Sequence, residues 1–201
     1  MIGAPGHHRM LFFHDAWFGT ESGVVVTAVL VLPLLPLLAW ALAARRRAAG
    51  EPRRRAWRKS ILDVGLVYGA GIPIWLTMLP GGNRAISLVP FRDMATMPTY
   101  EIVGNLLLLG ALGLLVPMRF RSLASVPRTA LVAMVVSCAI ETCQYVLPLG
   151  RVASVDDVIL NTAGAVVAAV LGWPWWASRG TEVAGVRDAP SMYVGRSLVQ
   201  K

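Results

Sequence analysis

Five long apolar stretches constrain this chain more than any other feature of its sequence. They cover residues 23–44, 61–79, 102–118, 129–147 and 158–176, and an α-helix needs about 17–25 such residues to cross a bilayer. The composition agrees, because only 15% of the residues are charged, whereas soluble domains have about 25%. The sequence therefore predicts an all-α integral membrane bundle of five transmembrane helices.

Arginine and lysine are distributed unevenly between the two ends of these predicted helices. Residues 45–60, 119–128 and the tail from 177 contain eight, three and four of the 19 basic residues, and only four lie on the opposite side. Short cytoplasmic loops are rich in Arg and Lys. We therefore expect an N-terminus outside, a C-terminus in the cytoplasm and a multi-pass membrane protein. The net charge of +8 follows from topology, so no nucleic-acid partner is expected.

The same features divide the chain into four parts. Residues 1–22 are predicted to be extracytoplasmic, and residues 23–85 to form the first two spans with a basic cytoplasmic loop. Residues 86–176 contain the last three spans, and the tail 177–201 is expected to be disordered because it has few large apolar residues. Pro33 and Pro36 predict a kink in the first span.

Polar side chains of the last three spans are expected to lie at one depth. Asn105 and Asn161 lie three residues into the third and fifth spans, and Glu141 lies six residues from the end of the fourth. At about 1.5 Å per residue, all three fall within roughly 10 Å of the outer surface. Gln144 shares a helix face with Glu141. We call this set, with the loop residues named next, the polar cluster.

The loop before the fifth span adds charge to the polar cluster through Arg151, Asp156 and Asp157. One interpretation is internal glue, in which Arg151 pairs with Glu141 and the amides bond across helices. Ionisable groups in a membrane are costly and usually functional. Polar residues from three spans at one depth favour a ligand site over glue.

The remaining polar residues have lesser predicted roles. The three histidines lie in the N-terminal segment, at His7, His8 and His14, which leaves no catalytic histidine for the bundle. A three-histidine metal site there lacks supporting ligands. The adjacent Asp156 and Asp157 leave a divalent cation open, but neither a metal nor a cofactor is predicted. Asp63 is interpreted as an interfacial charge that reaches water beside Arg58 and Lys59.

Small residues recur at helical spacing in two of the predicted spans. Such residues let a neighbouring backbone approach closely. They are Gly65 and Gly69 in the second span, and Gly164, Ala165, Ala168 and Gly172 in the fifth. Both groups predict tight helix packing.

Motifs between residues 86 and 172 resemble those of the VanZ-like family of bacterial membrane proteins. They are Leu88-Val89-Pro90-Phe91-Arg92, Asn105-Leu106-Leu107-Leu108, Ile140-Glu141 with Gln144, and Arg151 followed by Val155-Asp156-Asp157-Val158-Ile159-Leu160-Asn161-Thr162-Ala163-Gly164. The last string is the most specific. The resemblance implies that residues 86–176 form a VanZ-like domain, and it adds Arg92 to the polar cluster. It also implies a small polytopic protein of a bacterial plasma membrane, associated with low-level resistance to the glycopeptide teicoplanin.

Three functions stay open at this point, together with the oligomeric state. In the first, the polar cluster protects the cell envelope by binding a lipid head group, a lipid-linked cell-wall precursor or the lipoglycopeptide itself. Its predicted binding residues are Arg92, Asn105, Glu141, Gln144, Arg151, Asp156, Asp157 and Asn161. In the second, the protein is a membrane-embedded enzyme acting on a lipid-like substrate, with Glu141 as general acid and base. The third is a structural or partner-binding bundle without a ligand.

Overall fold

The computed structural model describes residues 19–82, 84–147 and 149–177. Most of the N-terminal segment and nearly all of the tail, for which we predict an extracytoplasmic position and disorder respectively, therefore lie outside the described residues. The described chain is mostly helical, with two short strands. This agrees with the predicted class of helical bundle.

The first predicted span forms α1 (Glu21–Val31), a 3-10 turn (Leu32–Leu34) and α2 (Leu35–Ala48). The hydroxyl of Thr20 accepts a hydrogen bond from the backbone N–H of Gly23 and caps α1. Pro33 and Pro36 each lie in the first turn of the segment that follows, where a missing N–H costs little. A 3-10 turn therefore lies where Pro33 and Pro36 predict a kink.

The second span is α3 (Arg53–Thr77), which packs along α2. The four residues between these helices make them neighbours, because a connection this short cannot carry the chain elsewhere. The hydroxyl of Tyr68 donates to the carbonyl oxygen of Ala28 at 2.8 Å. That bond joins α3 to α1 as well.

The third predicted span is divided into α4 (Thr99–Leu108) and α5 (Gly110–Arg119). At Leu109 the backbone leaves helical geometry, with φ −102° and ψ 12°. The side chain of Leu109 is fully buried in the core. The break lies between Leu106 and Gly113, whose backbones approach α7 closely, as described below.

The last two helices are α6 (Val126–Val146) and α7 (Val155–Leu171). Both pack against each other, and α7 also contacts α4 and α5. Buried apolar side chains at this junction form the core, and they are Leu108, Leu109, Leu112, Val116, Ala133, Ile140 and Ala165. The core therefore lies where α4, α5, α6 and α7 meet.

Glycines set the distance between α7 and its neighbours, as the stripe of small residues predicted. A Cβ atom on Gly164 would lie 1.8 Å from the carbonyl oxygen of Leu106, and one on Gly113 would lie 2.1 Å from that of Ala165. A Cβ on Gly69 of α3 would lie 2.7 Å from the Cβ of Ala111. Only glycine permits these approaches, so the predicted tight packing is confirmed.

Two short strands were not predicted. β1 (Ala85–Ser87) and β2 (Val152–Ser154) pair in parallel, with Ala85 opposite Val152 and Ser87 opposite Ser154. Gly150 adopts φ +62° just before β2, and the N–H of Gly81 donates to the carbonyl oxygen of Leu149 at 2.7 Å. These contacts join the loop after α3 to the loop after α6 at one end of the bundle.

Four helical stretches are long and apolar enough to cross a membrane, by length and composition: Glu21–Ala48, Arg53–Thr77, Thr99–Arg119 and Val126–Val146. They coincide with the first four predicted spans. The fifth prediction corresponds to α7, which is shorter, with 17 residues. The count of five and the orientation of the termini therefore stay predictions.

Candidate functional site

The polar cluster lies at the end of the bundle where β1 and β2 pair. Its residues come from the second half of α4, the first two turns of α7, the last two turns of α6, the loop after β1 and the loop before β2. The residues 88–94, which we call the 88–94 loop, lie against the start of α7.

Asp156 holds the 88–94 loop through its carboxylate. Its Oδ1 accepts from the backbone N–H of Phe91 at 2.6 Å, and its Oδ2 accepts from the N–H groups of Asp93 at 3.0 Å and Met94 at 2.9 Å. Only 1% of Asp156 is exposed. Converging N–H groups of this kind form an anion-binding concavity. The anion that occupies this one is the side chain of Asp156 itself.

Phe91 has an unusual backbone conformation, with φ +64°. A residue with a Cβ in this left-handed region is strained by about 1–3 kcal/mol and persists only where its surroundings impose it. The N–H of Phe91 donates to Asp156 in this conformation. The loop is therefore held in its shape by contacts within the protein.

Ser154 is a junction that the sequence analysis missed. Its hydroxyl accepts from the N–H of Asp156 at 3.2 Å and caps α7, and the same hydroxyl donates to Oδ2 of Asp93 at 3.0 Å. Its backbone N–H donates to Oε2 of Glu141 at 3.0 Å. A serine directly before Val155 and two aspartates is a helix-start signal, and that signal could have identified it.

The glue interpretation includes a pair between Glu141 and Arg151, and the structure gives these two side chains separate partners instead. Glu141 is buried against the N–H of Ser154, whereas Nη1 of Arg151 donates to the carbonyl oxygen of Leu79 at 3.1 Å. Among the described residues, neither side chain is in an ion pair. The close contact between Gly81 and Gly150 directs Arg151 toward the end of α3, whose last carbonyls have no partner within the helix.

Gln144, like Arg151, donates to a backbone carbonyl oxygen near the end of α3. Its Nε2 donates to the carbonyl oxygen of Thr77 at 2.9 Å, also at the end of α3. A further unpredicted contact comes from Arg84, whose Nη2 donates to the carbonyl oxygen of Tyr145 at 2.8 Å and whose guanidinium lies 4.8 Å from the centre of that ring. These side chains hold the loop after α3 against the end of α6.

The two predicted asparagines bond across helices, as the glue interpretation expects. Nδ2 of Asn105 donates to Oδ1 of Asp157, which joins α4 to α7. Nδ2 of Asn161 donates to Oγ of Ser137 at 2.8 Å, and both residues are buried. Oδ1 of Asn161 is buried without a hydrogen-bond partner within the described chain.

Arg92 is the exposed member of the predicted set. Within the ranges that the structure covers, its guanidinium is in no ion pair. The predicted residues therefore fall into an internally bonded group and an exposed cation on the 88–94 loop. Across the described residues, no three histidine, cysteine or acidic side chains are placed to hold a metal ion, and both oxygens of Asp156 already accept N–H groups.

Asp63, at the opposite end of the bundle, is not a simple interfacial charge. Its carboxylate pairs with the guanidinium groups of Arg46 from α2 and Arg119 from α5. Nη1 of Arg46 also donates to the buried hydroxyl of Ser60 at 2.7 Å. The interpretation that Asp63 only reaches water is corrected, because Asp63 joins three helices.

Comparison with protein-family models gives a match to VanZ/LLP1 over residues 53–176. This range covers more than half of the 201 residues and begins at α3, earlier than the motifs that start at residue 86. Comparisons with curated proteins and with solved structures gave no match. The extent of the family match, with four apolar helices long enough to span a bilayer, shows that the chain belongs to the VanZ/LLP1 family.

Proposed function

We propose that this VanZ-like membrane protein protects the cell envelope, with resistance to teicoplanin-type glycopeptides as one outcome, by binding an anionic amphiphile at the 88–94 loop. The family supports a role in antibiotic resistance. The observation that carries the proposal is the preformed 88–94 loop, which presents apolar side chains and an arginine that has no ion-pair partner among the described residues, at one end of the bundle.

The shape of the loop supports binding because it is set by internal contacts. Three backbone N–H groups converge on Asp156, and Ser154 ties Asp93 to the start of α7. A loop that is already ordered loses less conformational entropy when a ligand binds. The strained Phe91 is consistent with this role, since such strain concentrates at ligand-binding and active sites.

The exposed side chains of the loop indicate the ligand class. Leu88, Val89 and Phe91 are 71%, 55% and 64% exposed, and Arg92 is exposed beside them. An apolar surface next to a guanidinium suits a molecule with a lipid chain and an anionic group. Lipid head groups, lipid-linked cell-wall precursors and lipoglycopeptides share this chemistry, and the predicted topology places the loop outside, where these molecules occur.

Arg92→Gln tests the proposal directly, because it removes the cation and leaves the internal hydrogen bonds in place. Its matched control is Arg45→Gln, which removes an exposed arginine at the other end of the bundle. We expect Arg92→Gln to raise the teicoplanin susceptibility of an expressing bacterial host and to weaken binding of teicoplanin by protein in nanodiscs. The proposal fails if Arg92→Gln protects and binds as well as the control.

The enzyme alternative gains no support from the geometry. Glu141, its proposed general acid and base, is 9% exposed and accepts a hydrogen bond from the backbone N–H of Ser154. A general base must reach the proton it abstracts, and this carboxylate faces the backbone of β2. We therefore assign Glu141 a positioning role for the start of α7.

A further inference from the structure

A basic pocket lies at the end of the bundle opposite to the polar cluster. Its volume is about 730 Å³, which is within the range of about 300–1,000 Å³ typical of ligand pockets. It is bounded by the first turns of α3, the end of α5 and the 3-10 turn Arg121–Leu123. Six of its lining residues are cationic: Arg54, Arg55, Arg58, Lys59, Arg119 and Arg121.

The protein itself neutralises only part of this charge. Lys59 pairs with Glu51, and Arg119 pairs with Asp63. The Lys59 ammonium lowers the pKa of the Glu51 carboxyl, so that partner stays ionised. Among the described residues, no acidic side chain lines the pocket, and Arg54 and Arg55 are in no ion pair.

The start of α3 adds to the positive potential of the pocket. Its first turn contains three arginines and no acidic residue, and Pro52 provides no side-chain cap for the free N–H groups. Helix N-termini carry a partial positive charge and favour anions, so arginines are unfavourable there. A bound anion would offset both the helix dipole and the repulsion among the arginines.

We propose that this basic pocket binds the phosphate head group of an anionic membrane lipid. The pocket lies directly at the ends of the membrane-spanning stretches Arg53–Thr77 and Thr99–Arg119, at the level of lipid head groups. Basic pockets between transmembrane helices on the cytoplasmic side bind such head groups. The exposed ring of Phe120, which also lines the pocket, offers an apolar contact for the lipid chain. This proposal is independent of the function proposed for the 88–94 loop.

The test uses full-length protein in detergent, with short-chain phosphatidylglycerol, phosphatidylcholine of the same chain length, and inorganic phosphate as separate additives. Thermal unfolding and native mass spectrometry report stabilisation and retained lipid. We expect phosphatidylglycerol to stabilise the wild-type protein more than phosphatidylcholine does. Equal stabilisation by inorganic phosphate would overturn the lipid assignment in favour of a soluble phosphate compound.

The variant Arg54→Gln/Arg55→Gln removes two lining arginines that are in no ion pair within the described part of the chain. Each basic residue near an anionic lipid contributes roughly a fivefold factor, so we expect the Kd for phosphatidylglycerol to rise about 30-fold. Arg54→Lys/Arg55→Lys should restore most of the affinity, which separates charge from loss of folding.

The matched control is Arg45→Gln/Arg47→Gln. It removes the same charge from exposed positions of α2 that do not line the pocket. We expect its Kd to stay close to the wild-type value. An equal loss in the control, or no loss in the pocket variant, would overturn the proposal, since attraction would then not depend on the pocket.

Discussion

Replacing Gly164 by alanine tests whether the close approach of α7 to α4 determines the geometry of the polar cluster. A Cβ at this position would lie 1.8 Å from the carbonyl oxygen, 2.6 Å from the carbonyl carbon and 2.8 Å from the Cα of Leu106. All three are backbone atoms, so no side-chain rotation relieves the clash. Real Cβ contacts essentially never fall below 3.0 Å, and the helices must therefore shift apart by about 1.2 Å.

The magnitude follows from two opposing effects. Overpacking of a tight contact costs about 1–3 kcal/mol, and a clash with backbone lies at the upper end of that range. Alanine regains about 1 kcal/mol of helix propensity relative to glycine. We therefore expect Gly164→Ala to lower the free energy of unfolding by about 2 kcal/mol.

Gly104→Ala is the matched control, because it lies in α4 and a Cβ there would meet no heavy atom within 4 Å. It gains the helix propensity without a clash, so its free energy of unfolding should be unchanged or higher by up to about 1 kcal/mol. The two variants should differ by about 2–3 kcal/mol.

The assay is reversible unfolding in mixed micelles with increasing dodecyl sulfate, followed by circular dichroism. The shift should also weaken the bond between Asn105 and Asp157, since Asn105 directly precedes Leu106. Hydrogen exchange at the start of α7 would report that loss. If Gly164→Ala is as stable as Gly104→Ala, the helices do not meet at this glycine and the reasoning is refuted.

Three further predictions concern charged residues. Asp156→Asn removes the anionic acceptor of three N–H groups, so amide hydrogen exchange of the 88–94 loop should accelerate while the helices stay protected; unchanged exchange would show that the loop is held by other contacts. Asp63→Asn leaves two arginines without a carboxylate, and we expect the free energy of unfolding to fall by about 1–2 kcal/mol in the same assay, because a partly exposed network is weaker than a buried one. Wild-type stability would contradict a structural role for Asp63. A double-mutant cycle of Glu141→Gln and Arg151→Gln should show coupling below about 1 kcal/mol, because the two side chains have separate hydrogen-bond partners and interact only through their charges at longer range. Coupling above about 1 kcal/mol would indicate a direct pair.

The apolar content and length of each stretch predicted the first four spans because the bilayer imposes a simple requirement on any helix that crosses it. About 20 apolar residues are needed, and the backbone must satisfy its own hydrogen bonds. The stripe that includes Gly164 and Ala165 was predictive for a related reason, since small side chains on one helix face are what close packing needs. These features depend only on residues that are close together in the sequence, so they can be identified without the tertiary structure.

Rise per residue also predicted that Asn105, Asn161 and Glu141 lie toward the same end of the bundle, and their depth in a membrane stays a prediction. The motif around Asp156 was identified from its residues alone. The contacts of Asp156 could not be predicted, since its partners are backbone N–H groups of a loop more than 60 residues away in sequence. No pattern of side chains reveals a bond to the backbone of a distant loop.

The choice of partner for each charged side chain was decided only by the tertiary structure. Arg151 and Glu141 are close enough in sequence to suggest a pair, yet the β1–β2 pairing turns Arg151 toward the end of α3 and leaves Glu141 to Ser154. Asp63 likewise finds arginines from two other helices. Hydrogen bonds and ion pairs depend on distances of a few tenths of an ångström, and those distances exist only once separate segments have packed.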